Sequence, residues 1–276
     1  MFPGRGAWCV AWMAAALLLA GCVAQPVNGG SEISNAGRTA TNDLVTASDE
    51  GDQAKRSRLR LELASAYFAE GKTSTALDEL KRALAADPGN ASAYNLRGLI
   101  YASLSEAALA EESFRRALQL NPNDADAMHN YGWYLCSLKR QDEAEAQFAR
   151  ALAVPQYREQ SKTWLARGLC QARGGDLAAA ERSLLHSYEL DATNPATGFN
   201  LADVLLRAGN PDRARFYIQR VNSVPEYVNA ESLWLAIRID RRRGDQASVD
   251  ELGARLTQRF PKSRQASAYE QRQFDE

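Results

Sequence analysis

Four cysteines and two histidines are the side chains of this 276-residue chain best equipped for chemistry. A thiolate is a nucleophile, a metal ligand and one half of a disulfide. Cys9 and Cys22 stand near the amino terminus, whereas Cys136 and Cys170 lie deep in the chain, about 34 positions apart. His129 and His186 are far from each other, and neither has a cysteine or second histidine at the short spacing of a zinc site. No metal centre is therefore expected. The chain has no glycine-rich phosphate loop and no nucleophile elbow, and Gly174-Gly175 reads as a turn between helices. Glu111-Glu112 and the Glu143, Glu145 pair are expected on solvated helix faces. Arg241-Arg242-Arg243 suits either the end of a helix, where cations are favoured, or a phosphate or lipid-headgroup site. No catalytic residue and no cofactor site emerge, so the chain is not expected to be an enzyme.

Cys22 has a different setting. Arg5 precedes an apolar run from Ala7 to Ala20 that includes Leu17, Leu18 and Leu19. The run is short for a membrane span and has the form of a secretory leader. It closes on Leu19-Ala20-Gly21-Cys22, which resembles the lipobox of bacterial lipoproteins. The resemblance implies cleavage before Cys22, a diacylglycerol on its thiol and acylation of the new amino terminus. Several acyl chains hold a protein on a membrane where one gives only reversible binding. Val23 follows the cysteine, and by resemblance to the sorting rule of enteric lipoproteins this favours the outer membrane.

The residues that must position the rest fall into three stretches. After a leader at 1–21, residues 22–54 carry the lipidated cysteine and a tether rich in Asn, Gly, Ser and Thr, with too little apolar surface to fold. Its mean reach as a coil is roughly 30 Å. Residues 55–262 repeat with a period of 34: Gly98, Tyr101, Ala110, Phe114 and Ala117 have counterparts in Gly132, Leu135, Ala144, Phe148 and Ala151, and Pro122 marks the break between two units. That pattern is the signature of the tetratricopeptide repeat, a hairpin of two helices. It predicts an all-α, right-handed superhelix of six repeats, at about 57–90, 91–124, 125–160, 161–194, 195–229 and 230–262. Small residues let the helices meet, so Gly98 is expected against Ala110 and Gly132 against Ala144. Arg97, Lys139 and Gln171 depart from the consensus, and Asp240 fills an aromatic slot as though its repeat met water. Residues 263–276 read as a polar tail, from which Tyr269 and Phe274 could dock on the last helix.

In such an array the first helix of each hairpin lines the concave side. The expected groove carries Leu61, Leu99, Trp133, Leu165, Leu169 and Phe199, with Asn95, His129, Asn130 and Asp203 among the polar groups beside them, together with Arg207 and Arg238. A mostly apolar groove suits an amphipathic or apolar segment of a partner protein. The net charge of -1, with both signs interspersed, argues against nucleic acid, and no small-molecule substrate is indicated. Cys136 and Cys170 fall at similar heights on adjacent first helices. A disulfide there would close a loop worth roughly 3.5–4 kcal/mol in the chain-entropy description. Two buried free thiols are the other reading.

Several strings resemble one family. Asn130-Tyr131-Gly132-Trp133-Tyr134-Leu135-Cys136, Trp164 with Arg167-Gly168-Leu169-Cys170, Ala214-Arg215-Phe216-Tyr217 and Leu233-Trp234-Leu235-Ala236-Ile237-Arg238 are similar to the type IV pilus biogenesis lipoproteins of the PilF/PilW group. The resemblance implies a periplasm-facing lipoprotein anchored in the inner leaflet of the outer membrane. Its partner would be the pilus secretin subunit, whose localisation and multimerisation it promotes. A repeat adaptor for another envelope assembly or proteolysis machine is the alternative. The leader reading is checked directly: Cys22→Ser should shift the protein out of the membrane fraction on fractionation, and unchanged membrane association would remove the anchor.

Overall fold

The computed structural model describes residues 51–274, all of its regular structure helical. The expected leader, Cys22 and most of the expected tether lie outside the described residues. Six antiparallel hairpins follow one another: α1 (Asp52–Ala69) with α2 (Thr73–Ala86), α3 (Ala91–Ser103) with α4 (Ala107–Leu120), α5 (Ala125–Ser137) with α6 (Gln141–Leu152), α7 (Gln160–Gly174) with α8 (Leu177–Leu190), α9 (Pro195–Arg207) with α10 (Pro211–Asn222), and α11 (Ala230–Arg242) with α12 (Gln246–Arg259). A short α13 (Arg264–Glu270) closes the array. Among the described residues no helix is long and apolar enough to cross a membrane. The fold is the tetratricopeptide array that the period predicts, with two boundary corrections. Helix α1 starts inside the stretch assigned to the tether, because Asp52 through Lys55 join the helix that Arg58–Glu62 pairing supports. The polar tail is also folded: Ala266 is buried and Tyr269 lies on Gly253, so α13 covers the apolar end of the last hairpin.

Sequence dictates where each hairpin starts and stops. Asn90, Asp124, Asp176, Asn194, Asn229 and Asp245 each accept a hydrogen bond from the backbone N–H of the first helical turn, satisfying groups that would otherwise be orphaned. Inside the hairpins the close approach centres on one large side chain. Gly98 lies under the ring of Phe114, where a Cβ would sit 2.8 Å from the ring. Gly132 meets Phe148 in the same way, and Gly168 meets Leu184. The consensus small residue makes room for a large side chain from the second helix, which is the fully buried centre of each hairpin.

First helices touch their successors: α1 meets α3, α3 meets α5, α5 meets α7, α7 meets α9 and α9 meets α11. The backbones of second helices stand farther apart, and α8 reaches α10 through side chains, Tyr188 against Tyr217 and Glu181 paired with Arg213. The first helices therefore form the inner, concave face and the second helices splay outward. Between α6 and α7 the turn is lengthened, Gln156 adopts φ 60°, and the Tyr157 hydroxyl lies 2.9 Å from Thr163 Oγ1.

Polar groups expected at the surface tie repeats together. Asp240 is 4% exposed, and it pairs with Arg215 and Arg243, each at 3.1 Å. Its aromatic slot is thus filled by a buried ionic cluster, which corrects the expectation of a water-facing repeat. Glu111 is not simply solvated either: Arg140 from the next repeat donates to it at 2.8 Å, and Tyr131 donates at 3.1 Å. The Arg140 contact, with Tyr131 and Arg115 adding, holds the Glu111 carboxyl below the usual range. Glu145 pairs with Arg167 across the α6–α7 boundary and also accepts from Gln171 Nε2. Arg97 bonds Ser113 Oγ and lies over Tyr94, so its non-consensus side chain is accommodated.

Four hairpin turns place glycine in the left-handed region, at Gly71, Gly175, Gly209 and Gly244, but Ser105 and Lys139 hold φ 62° and 60° at the equivalent turns. A left-handed L-residue costs about 1–2 kcal/mol, and glycine returns about 0.5–1 kcal/mol of that as extra chain entropy. Lys139→Gly is therefore expected to stabilise the array by about 0.5–1 kcal/mol in urea unfolding; a lower midpoint would show that the lysine side chain compensates.

Candidate protein-binding site

The concave face is built from two register positions about one turn apart on the first helices, one holding Leu61, Leu165 and Phe199, the other Leu99, Trp133 and Leu169. Leu61, Leu99, Trp133, Leu165, Leu169 and Phe199 are all half-buried. Each of these except Leu169 packs on one side against a core cluster, leaving the remainder of its surface open. Asn95 and Asn130 also stand here, and Asn130 Nδ2 donates to Asn95 Oδ1 at 3.2 Å, joining repeats two and three. Asp203 pairs with Arg207 at 3.5 Å.

His129 departs from this picture. Its ring is 6% exposed, turned away from the groove into the space between α5, α6 and α7. Its Nδ1 lies 2.9 Å from Thr163 Oγ1, and its ring meets Phe148 edge-on. Thr163 is itself buried and also contacts Tyr157, so the histidine belongs to a polar knot that closes the lengthened turn. Burial, with Lys162 adding and Asp126 opposing, pushes the His129 pKa down to about 4.

Cys136 and Cys170 are joined by a disulfide, with their Cα atoms 5.8 Å apart. It fastens α5 to α7 near their carboxyl-terminal ends, at the far end of these helices from the lengthened turn. The groove is less uniformly apolar than its row of leucines suggests. The Arg173 guanidinium lies 4.6 Å from the Trp133 ring centre, a cation–π contact that covers part of the indole. Towards repeats five and six the lining becomes cationic, with Arg207, Arg238, Arg241 and Arg242 around Leu206. The signal for this was present in the recurrence of Arg173, Arg207 and Arg241 at the repeat period. Among the described residues no group of three His, Cys, Asp or Glu side chains could hold a metal ion.

Comparison with known proteins agrees with this architecture. Tetratricopeptide-repeat family patterns match residues 61–125 and 113–146. Among solved structures, the widely conserved type IV pilus biogenesis factor PilW is 32% identical, with a TM-score of 0.71, over 77% of this chain and 97% of PilW. Pseudomonas aeruginosa PilF is 25% identical, with a TM-score of 0.70, over 80% of this chain and all of PilF, 100%. YrrB, a repeat protein with an unusual peptide-binding site, shares the fold at 18% identity and a TM-score of 0.56. A search of curated proteins returned no match.

The buried histidine gives the array a pH dependence. The unfolded imidazole titrates near 6.5 and the folded one near 4, so the unfolded chain takes up the extra proton between those values. Stability is full above pH 6.5 and falls as the pH drops towards 4, by about 3 kcal/mol over the window. His129→Gln should flatten that part of the unfolding profile relative to the parent; an unchanged slope would place the titration elsewhere.

Proposed function

Because the chain belongs to the tetratricopeptide-repeat family that includes the pilus biogenesis factor PilW, we propose that it is a protein-binding component of type IV pilus assembly. In this reading it is anchored through lipid on Cys22 to the periplasmic face of the outer membrane. Its concave face holds a segment of the pilus secretin subunit and promotes the subunit's localisation and multimerisation. The observation that carries the proposal is the half-buried apolar row from Leu99 through Trp133, Leu165 and Leu169 to Phe199. Side chains spaced one repeat apart offer seats about 10 Å from each other, matching an extended or amphipathic segment and unlike a closed substrate pocket.

The physical logic runs from anchor to groove. Lipid restricts the array to the membrane surface, a short tether keeps it within roughly 30 Å of that surface, and the local concentration of a membrane-bound partner rises accordingly. Apolar burial supplies affinity at about 25 cal/mol per Å² before the cost of ordering the partner. No bond is made or broken; the work is capture and release.

The test uses variants that separate groove from fold. Leu169→Glu places a carboxylate in the row at a side chain that packs in none of the core clusters. Trp133→Glu with Leu165→Glu is the stronger disruption. Secretin multimers in envelope extracts should fall at least tenfold in both, while helical content and the Cys136–Cys170 bridge persist. Wild-type multimer levels in a folded Leu169→Glu protein would overturn the groove as the binding site. A different envelope protein co-purifying in place of the secretin would overturn the partner.

A further inference from the structure

The carboxyl-terminal end of the concave face is a second, chemically distinct place. Helices α7, α9 and α11 lie side by side, and each carries arginine in its last turn: Arg173, Arg207, and Arg241 with Arg242. Helix ends favour cations, and that accounts for Arg207, whose Nη2 donates to the Ala172 carbonyl at 3.1 Å. It does not account for the rest. Arg243, at the same helix end, is bonded to Asp212 and Asp240, yet Arg238, Arg241 and Arg242 have no carboxylate partner among the described residues. Together with Leu206 and Arg207 these three surround a cleft of about 450 Å³.

One aromatic side chain already sits at the edge of that cleft. Beyond α13 the chain returns to the concave face, and Phe274 lies flat on Trp234, with ring centres 5.6 Å apart and planes 13° from parallel. The Arg241 guanidinium covers it from 4.2 Å. Trp234 occupies in repeat six the place that Leu165 and Phe199 hold in repeats four and five. In sequence Phe274 is followed by Asp275 and Glu276. The chain thus seats its own aromatic residue in the row, from a segment whose next residues are acidic, beside Arg238, Arg241 and Arg242, which have no carboxylate partner among the described residues.

We propose that this cleft binds an acidic partner segment bearing an aromatic side chain, and that Phe274 holds the aromatic seat until the partner displaces it. The ring of the partner stacks on Trp234 under Arg241, and its carboxylates take hydrogen bonds from Arg238 and Arg242. Guanidinium groups suit this double task, because they pair with carboxylates through two N–H groups and stack on aromatic faces. The subsite continues the apolar row beyond Phe199 but differs from it in charge, and it does not require the partner to be a secretin.

The experiment is fluorescence anisotropy of the purified full chain with a labelled peptide containing one phenylalanine followed by four glutamates. Binding should weaken at least tenfold in Arg238→Glu with Arg242→Glu, and also when salt rises from about 0.05 M to about 0.5 M, as screening shortens. Replacing the peptide's phenylalanine with alanine should weaken binding several-fold, and Phe274→Ala in the protein should tighten it about threefold by emptying the seat. No binding by either the parent or Phe274→Ala, or binding indifferent to the charge reversals, would overturn the proposal. So would adsorption of the chain to phosphatidylglycerol vesicles through the same arginines with no affinity for the peptide.

Discussion

Two helices can run within touching distance only where one has no side chain at the point to which the other sends a large one. In this array that condition is met by Gly98 under Phe114, Gly132 under Phe148 and Gly168 under Leu184. A methyl group at any of these glycines would force the hairpin open, and the buried ring or leucine would lose its contacts on every side. The tight pairing sets the wedge of each hairpin, the wedge brings first helices together while second helices diverge, and the resulting curvature presents one inward row per repeat. The spacing of every group on the concave face follows from that packing.

Stacking hairpins into an array is a different problem from forming one, and here it is solved with charge. Arg140 reaches back to Glu111, Arg167 to Glu145, and Arg215 joins Arg243 on Asp240. Each joins residues from consecutive helices or repeats, so their partners exist only when the neighbours are stacked. The Asp240 cluster matters most, since a buried carboxylate without its guanidinium partners is strongly unfavourable. Such contacts supply nearest-neighbour coupling, which is what makes a chain of repeats fold as one unit.

The parts legible in the sequence were those with a period. Glycine, alanine and aromatic spacing revealed the six hairpins, and the recurrence of apolar residues on the first helices revealed the row from Leu61 to Phe199. What periodicity could not resolve was partnership. Asp240 looked like a residue facing water, because Arg215, which helps to bury it, comes from the preceding repeat and carries no local mark. His129 stood beside true groove residues in sequence, but Thr163, a full repeat away, draws it inward. The tail from 263 looked polar because few apolar residues, among them Ala266, Ala268, Tyr269 and Phe274, pack on the array, too few to form a pattern. The arginines at the cationic end of the face were visible in the sequence, but which of them are paired, as Arg243 is with Asp212 and Asp240, is settled only in three dimensions.

The bridge between Cys136 and Cys170 encloses the whole of α6 and the lengthened turn within a covalent loop. An array of hairpins under tension gives way like a zip, one repeat at a time. Here the 34-residue stretch inside the loop cannot contribute to the length of a pulled chain. At about 3.4 Å per residue that withholds roughly 110 Å of extension. The bridge therefore acts as a mechanical stop midway along the concave face, carrying a load applied to the two ends of the array while the residues inside the loop stay out of its path.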